Sequence, residues 1–288
     1  PQAVALQMLN AADSFALLAI PFFLLAGEAM TAGGLSRRLV GFALALVGHV
    51  RGGLGYVAII AAILLSSLSG SAVADTAALA AVLIPMMRRA GYDVPRAASL
   101  MAAGGTIGPV IPPSIGFIVF GVAANVSITS LFLAGIVPGL MMGLGLAVTW
   151  WLVAKKENVE PLPRASWRET MHAMWDGLLA LGLPVLIVLG MKFGLFTPTE
   201  AGVVAAVYAI LVGMFGYREL TLAMLPGVLL NAVRTSAAVM FLVAAAAVTA
   251  YFITIADVPG QVRPLLEPFA GHPVTLMLAM MVLVLIVG

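Results

Sequence analysis

Four serines and an aspartate lie close together inside one apolar stretch of the sequence. Residues 66–76 read SSLSGSAVADT and occupy the middle of the hydrophobic segment 52–87. Helices avoid this much Ser and Gly unless the backbone opens. An opened backbone exposes carbonyl oxygens, which together with serine hydroxyls can coordinate a hard cation such as Na⁺. The run therefore predicts a helix break able to bind a cation.

The same break would start a new helix near Ser71, and Asp75 would fall in its first turn. The free N–H groups and the positive dipole end of a helix start suit a carboxylate ligand. Asp75 has two interpretations: it completes the helix end, where the dipole favours an acid, or it takes part in ion or substrate binding at membrane depth. We favour binding.

A second break is predicted in residues 104–114, which read GGTIGPVIPPS. Proline lacks an N–H donor and glycine favours open backbone, so a helix cannot continue through three of each. A helix is expected to restart near Pro113 and Ser114, because proline suits the first turn. The alternative is a proline-kinked span with only a packing role.

Both breaks lie in a strongly apolar chain. It is 62% hydrophobic and 9% charged, with a mean hydropathy of +1.14, whereas soluble domains carry about 25% charged residues. Several apolar stretches approach the about 17–25 residues that a helix needs to cross a membrane. The sequence predicts an all-α, polytopic transmembrane bundle. Its predicted spans include residues 14–30, 128–153, 177–191, 200–215, 236–256 and 273–287.

Several other kinds of site are excluded by the residues available. The chain has no cysteine, and its three histidines lie far apart in sequence. An intramembrane hydrolase using Ser71 or Asp75 would lack a paired base. The sequence pI is about 9.2, but the net charge is only +2 and the basic residues lie between spans. We expect no catalysis, no organic cofactor and no nucleic-acid binding.

The basic residues predict the membrane topology. Segment 52–87 is either a re-entrant hairpin or two spans, and both choices leave Arg51 and Arg88 on one side. Following the chain in this way places every basic residue except Lys192 and Arg263 on that side, which is cytoplasmic by the positive-inside rule. The path places Arg234 in an interfacial turn between a flat helix, 220–232, and the span 236–256. The alternative is an intramembrane, functional Arg234.

The predicted elements recur in the same order with opposite orientation. A span, a flat amphipathic helix and a segment that re-enters the bilayer occur twice, first from the cytoplasm and then from outside. Inverted repeats of this kind place one binding site at the midplane of many secondary transporters. The two series are residues 14–30, 35–49 and 52 onward, and residues 236–256, 259–269 and 273 onward.

This symmetry divides the chain into three parts. The first repeat is residues 1–153, with a hairpin at 52–87 and a broken helix at 95–124. A cytoplasmic connecting loop, 154–172, leads to the second repeat, 173–288. Because the sequence begins without Met and stops inside an apolar run, we expect a fragment truncated at both ends.

Six motifs resemble one family, the large membrane (M, DctM-like) subunit of the tripartite ATP-independent periplasmic (TRAP) transporters. Each motif alone is weak, but their combination is specific and spans most of the chain. The motifs are PFFLLAGE at 21–28, SGSAVAD at 69–75, IPMMRRAGYD at 84–93, GPVIPPS at 108–114, LFLAGIVPG at 131–139 and GLFTPTE at 194–200.

The resemblance implies a function and partners. It implies Na⁺-coupled uptake of an organic acid, of the C4-dicarboxylate or sialic acid type, across a bacterial inner membrane by an elevator mechanism. It also implies a small membrane (Q) subunit and a periplasmic substrate-binding (P) protein. The alternative is a related ion-coupled anion carrier that acts alone.

Carried over by motif, the resemblance also implies site residues at the two breaks. Those expected to line the substrate site are Ser69, Ser71, Asp75 and Ser114. Those expected to hold Na⁺ are Ser69, Gly70, Gly105, Thr106 and Gly108.

Overall fold

The computed structural model describes residues 2–69, 72–155, 161–267 and 271–287, with only the backbone described at 68, 69, 74, 265, 266 and 287. The first part contains α1 (Gln2–Ala12), a 3₁₀ helix (Phe15–Leu18), α2 (Ala19–Ala32), α3 (Leu35–Val47), α4 (Gly53–Ser69), α5 (Ala72–Arg89), α6 (Val94–Gly105), α7 (Ile115–Ala123) and α8 (Ile128–Ala154). The second part contains α9 (Trp167–Lys192), α10 (Pro198–Leu211), a π-helical turn (Val212–Gly216), α11 (Leu225–Ile255), α12 (Val258–Leu266) and α13 (Pro273–Val287).

Five helical segments within the described residues are long and apolar enough to cross a membrane. They are Phe15–Ala32, Ile128–Ala154, Trp167–Lys192, Pro198–Gly216 and Leu225–Ile255. Shorter apolar helices occupy Gly53–Ser67 and Pro273–Ile286. This confirms the predicted all-α, polytopic membrane architecture.

The residues Ser14–Ala238 form one compact unit with α4 at its centre. Helix α4 packs against α2, α3, α5, α6, α8 and α9. Small residues allow these close approaches. A Cβ on Gly55 would lie 1.9 Å from the Trp150 ring, and one on Gly143 would lie 2.5 Å from Ile63 Cδ1. The absent side chains leave room for a bulky neighbour from the adjacent helix.

Pro1–Asp13 and Val239–Gly288 form a second unit. It contains α1, the C-terminal part of α11, and α12 and α13. The order of helix types in α11, α12 and α13 resembles that in Phe15–Ala32, α3 and α4: an apolar segment long enough to cross a membrane, a short helix and a shorter apolar helix. An inversion that relates the two series stays a prediction.

Helix α11 corrects one prediction. It is a single helix of 31 residues, so the predicted turn at Arg234 is wrong. After Gly227, no Gly or Pro interrupts the helix, and good helix formers follow. Ser236 stays helical because its buried hydroxyl donates to the Ala232 carbonyl at 2.6 Å. The Arg234 side chain is exposed on this continuous helix.

Helix α9 also differs from expectation. It begins at Trp167, inside the predicted connecting loop and ten residues before the predicted span. A capping box explains this early start, since Ser166 accepts from the Glu169 backbone and the Glu169 side chain accepts from the Ser166 backbone.

Candidate functional site

The first predicted break is narrower than expected. Helix α4 continues to Ser69 and α5 begins at Ala72. The serines at the end of α4 do not open the helix. At Ser67 the reason is local, because a serine hydroxyl can bond to a carbonyl of its own preceding turn. Ser67 does so, with its Oγ donating to the Leu64 carbonyl at 2.6 Å. The predicted site residues Gly70 and Ser71 and the side chain of Ser69 lie outside the described part of the chain.

The second break lies where it was predicted, between Gly105 at the end of α6 and Ile115 at the start of α7. The backbone between them forms consecutive tight turns. The N–H groups of Thr106, Ile107 and Gly108 each donate to the carbonyl three residues earlier, at 3.1–3.3 Å. The Ile107 carbonyl then accepts from both Val110 and Ile111. The structure therefore confirms a broken helix in this segment.

The start of α5 meets the second break. A Cβ on Gly105 would lie 1.8 Å from Thr76 Oγ1 and 3.0 Å from the Ala72 carbonyl oxygen. A Cβ on Gly108 would lie 3.2 Å from Asp75 Oδ2 and 3.3 Å from the Ala72 nitrogen. The first turn of α5 thus packs directly on the backbone of the second break, where a Cβ at Gly105 would overlap its neighbours and a Cβ at Gly108 would press closely on them. We call this surface the break contact: Ala72, Asp75, Thr76, Gly105 and Gly108.

Asp75 is placed in the first turn of α5, as predicted. Its residue surface is 4% exposed, and its carboxylate lies beside Gly108. A carboxylate so close to the start of α5 benefits from the positive end of the helix dipole. This placement fits both interpretations of Asp75, the helix-end acid and the binding residue.

Ser114 is fully buried at the start of α7. Its Oγ donates to the Pro109 carbonyl at 2.5 Å and accepts from the Phe117 N–H at 3.2 Å. It is therefore the N-cap of α7, and it also ties the helix start to the break. A direct role for Ser114 in binding substrate stays a prediction.

The three described candidates for Na⁺ binding are not equivalent. Gly105 and Gly108 are buried, and the Gly105 carbonyl accepts a hydrogen bond from the Gly108 N–H at 3.1 Å. Thr106 is exposed, and its hydroxyl donates to the Ala103 carbonyl at 2.7 Å. A carbonyl oxygen has two lone pairs, so one that accepts a single hydrogen bond can still coordinate a cation. Sodium binding by these groups stays a prediction.

Sequence reasoning did not single out Thr76, which belongs to the break contact, or the buried Ser66 of α4. Thr76 was seen only as the end of a polar run, although its side chain packs on Gly105. Ser66 lies one helical turn beyond Ala62, whose Cβ would be 3.1 Å from a Cβ on Gly104. Ser66 is fully buried, and its hydroxyl has no hydrogen-bond partner among the described residues. The sequence signal that could have found Ser66 is its spacing from Ala62, which places both residues on the same face of α4.

A second polar cluster surrounds Arg38 on α3. Its guanidinium contacts Glu219 at 2.8 Å and Asp176 at 3.3 Å, and it lies 3.8 Å above the Tyr217 ring. The Tyr217 hydroxyl donates to the Asp176 carbonyl at 2.7 Å. Burial opposes the charge of Arg38, but the hydrogen bond and charge of Glu219, with those of Asp176, raise its pKa above the usual value. We call these residues, with Arg37, the Arg38 cluster.

The Arg38 cluster connects α3 to α9 and to the segment after α10. Arg37 also pairs with Glu219, at 2.5 Å. The cluster borders a cavity of about 470 Å³ that His172 and Glu169 of α9 also line. Only the basic residues of this cluster entered the sequence reasoning, as topology markers. Their acidic partners lie 138 to 182 residues away along the chain, too far for a local pattern to pair them.

Comparison with known proteins independently supports the resemblance to the TRAP transporter large membrane subunits. Over residues 1–288 the sequence matches the family described as "Tripartite ATP-independent periplasmic transporter, DctM component". It is 55% identical, over 100% of this chain and 68% of the relative, to the 2,3-diketo-L-gulonate TRAP transporter large permease of Escherichia coli. It is 39% identical to the C4-dicarboxylate large permease of Pseudomonas aeruginosa, over 100% of this chain and 67% of the relative.

A third relative extends the range of substrates in the family. The sialic acid TRAP transporter large permease of Vibrio cholerae is 39% identical, over 99% of this chain and 66% of the relative. The chain thus spans about two thirds of the length of these relatives. All three are named as permeases, so the chain is a transporter component rather than an enzyme, as predicted. On these matches and its polytopic helical fold, the chain belongs to the DctM family of TRAP transporter large permeases.

Proposed function

We propose that this chain forms the transport pathway of a TRAP system that takes up an organic acid by Na⁺ symport across the bacterial inner membrane. The single observation that carries this proposal is the break contact. Helices opened at membrane depth, facing each other, are the means by which secondary transporters bind ions and substrates near the midplane.

The two sides of the break contact supply complementary chemistry. The start of α5 presents the positive end of a helix dipole, which favours a carboxylate ligand. The turned backbone of the second break presents carbonyl oxygens, the ligands that hard cations prefer. Because both lie on one surface, binding of Na⁺ and of a carboxylate would reinforce each other. In this proposal the substrate residues are Ser69, Ser71, Asp75 and Ser114, and the Na⁺ residues are Ser69, Gly70, Gly105, Thr106 and Gly108.

The substrate class follows from the chemistry that the relatives share. The substrates in their names, 2,3-diketo-L-gulonate, C4-dicarboxylates and sialic acid, are all organic acids. A carboxylate is therefore the group that we expect the site to recognise. A six-carbon sugar acid should be tested first, because the relative named for diketogulonate is 55% identical to this chain.

The mechanism that we propose is an elevator with two partner proteins. Helices α4 to α7 carry the break contact and would move as one part against the remaining spans. A small membrane (Q) subunit would complete the membrane complex, and a periplasmic substrate-binding (P) protein would deliver the acid to the outer face. The membership of the chain in the TRAP family supports these partners.

Reconstituted uptake tests the proposal. The full-length permease and its small subunit are placed in proteoliposomes, and the loaded binding protein and labelled sugar acid are added outside. We expect uptake to require an inward Na⁺ gradient and to stop when K⁺ replaces Na⁺. We also expect Asp75→Asn, which keeps the side-chain size, to abolish uptake without lowering the thermal unfolding midpoint in detergent.

The same assay separates the alternatives. Uptake without any binding protein would favour the ion-coupled carrier that acts alone. Undiminished uptake by Asp75→Asn would contradict the binding role of Asp75 and leave it as a helix-end residue. Asp93→Asn is the matched control, because Asp93 is an exposed N-cap of α6 and lies outside the break contact.

A further inference from the structure

A groove runs between α6 and α8, separate from the break contact. It encloses a cavity of about 340 Å³. Each wall is a single helical stripe at positions i, i+3, i+4 and i+7, which starts at Arg96 on α6 and at Leu146 on α8. Seven residues of helix rise about 10 Å, so the groove follows both helices for about that distance. Leu100 and Trp150 are its most buried residues, at 8% and 3% exposure.

The groove is apolar along its length even though it contains two hydroxyl residues. Ser99 Oγ donates to the Pro95 carbonyl at 2.9 Å, and Thr149 Oγ1 donates to the Gly145 carbonyl at 2.9 Å. Both hydroxyl protons therefore form hydrogen bonds within their own helices. The remaining lining of Leu, Ala, Val and Trp side chains offers hydrocarbon contacts over the full depth of the groove.

One end of the groove is basic. Arg96 lies there, in the first turn of α6, with its side chain exposed. Trp150 connects this end to the start of α4, because its Nε1 donates to the Gly52 carbonyl at 2.8 Å. Two more basic residues lie beside Gly52 and at the end of α8, where Arg51 Nη2 donates to the Lys155 carbonyl at 3.3 Å. Among the described residues at this end, the acidic Asp93 accepts from the Arg96 backbone N–H.

Arg96 thus lines one end of an apolar slot, at the side that the positive-inside rule assigns to the cytoplasm, and the residues Arg51 and Lys155 lie near that end. In a bilayer, an open apolar groove is filled by hydrocarbon, and a basic cluster at the surface attracts anionic lipid head groups. We propose that the groove binds an anionic phospholipid, with its phosphate near Arg96 and one acyl chain between α6 and α8. The lipid would support α6, whose other end forms the second break.

Photocrosslinking of lipids tests this proposal in the intact membrane complex. The full-length permease with its small subunit is reconstituted in vesicles that contain phosphatidylglycerol with a diazirine on one acyl chain. A parallel sample contains phosphatidylcholine with the same acyl chain. After illumination, the labelled peptides are mapped by mass spectrometry. We expect peptides that cover residues 99–103 and 146–153 to be labelled several-fold more by phosphatidylglycerol than by phosphatidylcholine.

Two variants test the contribution of the Arg96 charge and that of the apolar groove separately. Arg96→Gln should reduce labelling by phosphatidylglycerol to the level of phosphatidylcholine. Its matched control is Arg89→Gln, which removes an exposed arginine at the end of α5 and should leave labelling unchanged. Ala103→Phe should fill the slot and reduce labelling by both lipids. Its control is Val148→Phe, because Val148 is exposed on α8 but does not line the groove.

Two results would overturn the proposal. Equal labelling by both lipids in the unmodified protein would show that the basic end selects no head group. Labelling of the groove no stronger than that of the exposed α8 residues Val137 and Leu144 would show that no lipid is retained, or that another protein helix covers the groove.

Discussion

The break contact and the Arg38 cluster both join distant parts of the chain, but they use opposite means. At the break contact, the first turn of α5 packs on the backbone of the second break, and the glycines allow it because their side chains are absent. In the Arg38 cluster, long charged side chains pair with their partners beside a cavity. The first contact is held by shape, whereas the second is held by charge and hydrogen bonds.

The difference predicts how each region tolerates change. Repulsion between atoms rises steeply once they come closer than van der Waals contact, so one methyl group at a filled surface forces a rearrangement. Ion pairs near a surface act over longer distances, are screened by salt and adjust through flexible side chains. Substitutions should therefore impair function at the break contact and mainly lower stability in the Arg38 cluster.

The largest effect is expected from Gly105→Ala. Its new Cβ would overlap Thr76 Oγ1 and press on the Ala72 carbonyl. Overpacking of this kind costs about 1–3 kcal/mol, and each 1.4 kcal/mol corresponds to about tenfold in an equilibrium. We expect Na⁺-driven uptake in proteoliposomes to fall about tenfold or more. Gly145→Ala is the control, because a Cβ there meets nothing within 4 Å.

A second substitution sharpens this prediction. Thr76→Ala in the Gly105→Ala background removes the overlapping hydroxyl and should restore part of the uptake. If Gly105→Ala alone transports normally, the break contact is not held by shape.

A smaller effect is expected from Gly108→Ala. The new Cβ would lie 3.2 Å from Asp75 Oδ2 and 3.3 Å from the Ala72 nitrogen, a tight contact that a small shift can relieve. We expect a partial loss of uptake that is weaker than for Gly105→Ala and that appears as a weaker dependence on Na⁺ concentration. An effect larger than that of Gly105→Ala would contradict the steric ranking.

In the Arg38 cluster, Glu219→Gln should lower stability rather than transport. It removes the acid that Arg37 and Arg38 share. Partly exposed pairs of this kind contribute about 1 kcal/mol or less, so we expect the thermal unfolding midpoint in detergent to fall by a few degrees, with the difference from the unmodified protein shrinking at high salt. A loss of uptake comparable to that of Gly105→Ala would show that the cluster takes part in transport.

The smallest effect is expected from Tyr217→Phe. It removes the hydroxyl that donates to the Asp176 carbonyl but keeps the ring below Arg38. A single hydrogen bond contributes about 0.5–1.5 kcal/mol, so the midpoint should fall slightly and uptake should stay unchanged. Tyr217→Leu, which also removes the ring, should lower the midpoint further.

The sequence was most informative where a residue type restricts the backbone directly. The prolines and glycines of 104–114 predicted the second break, and the acid in the first turn of α5 was also placed correctly. Serine was less informative. A serine hydroxyl bonds as readily within a helix as outside it, and Ser67 and Ser236 both stay helical in this way.

The contacts between distant segments could not be predicted from one sequence. Nothing near Gly105 specifies that Thr76 will fill the space beside it, and nothing near Arg38 specifies Glu219. These pairs depend on how whole helices pack, because a contact forms only when both partners face each other across an interface.

The uninterrupted helix α11 has a consequence for the depth of Arg234. At 1.5 Å per residue its 31 residues measure about 46 Å, considerably more than the about 30 Å of a hydrocarbon layer. Counted back from Ile255, about 20 residues fill that layer and end at Ser236. Counted in this way, Arg234 lies two residues beyond the hydrocarbon layer without any turn, and the helical turns that precede it lie outside that layer.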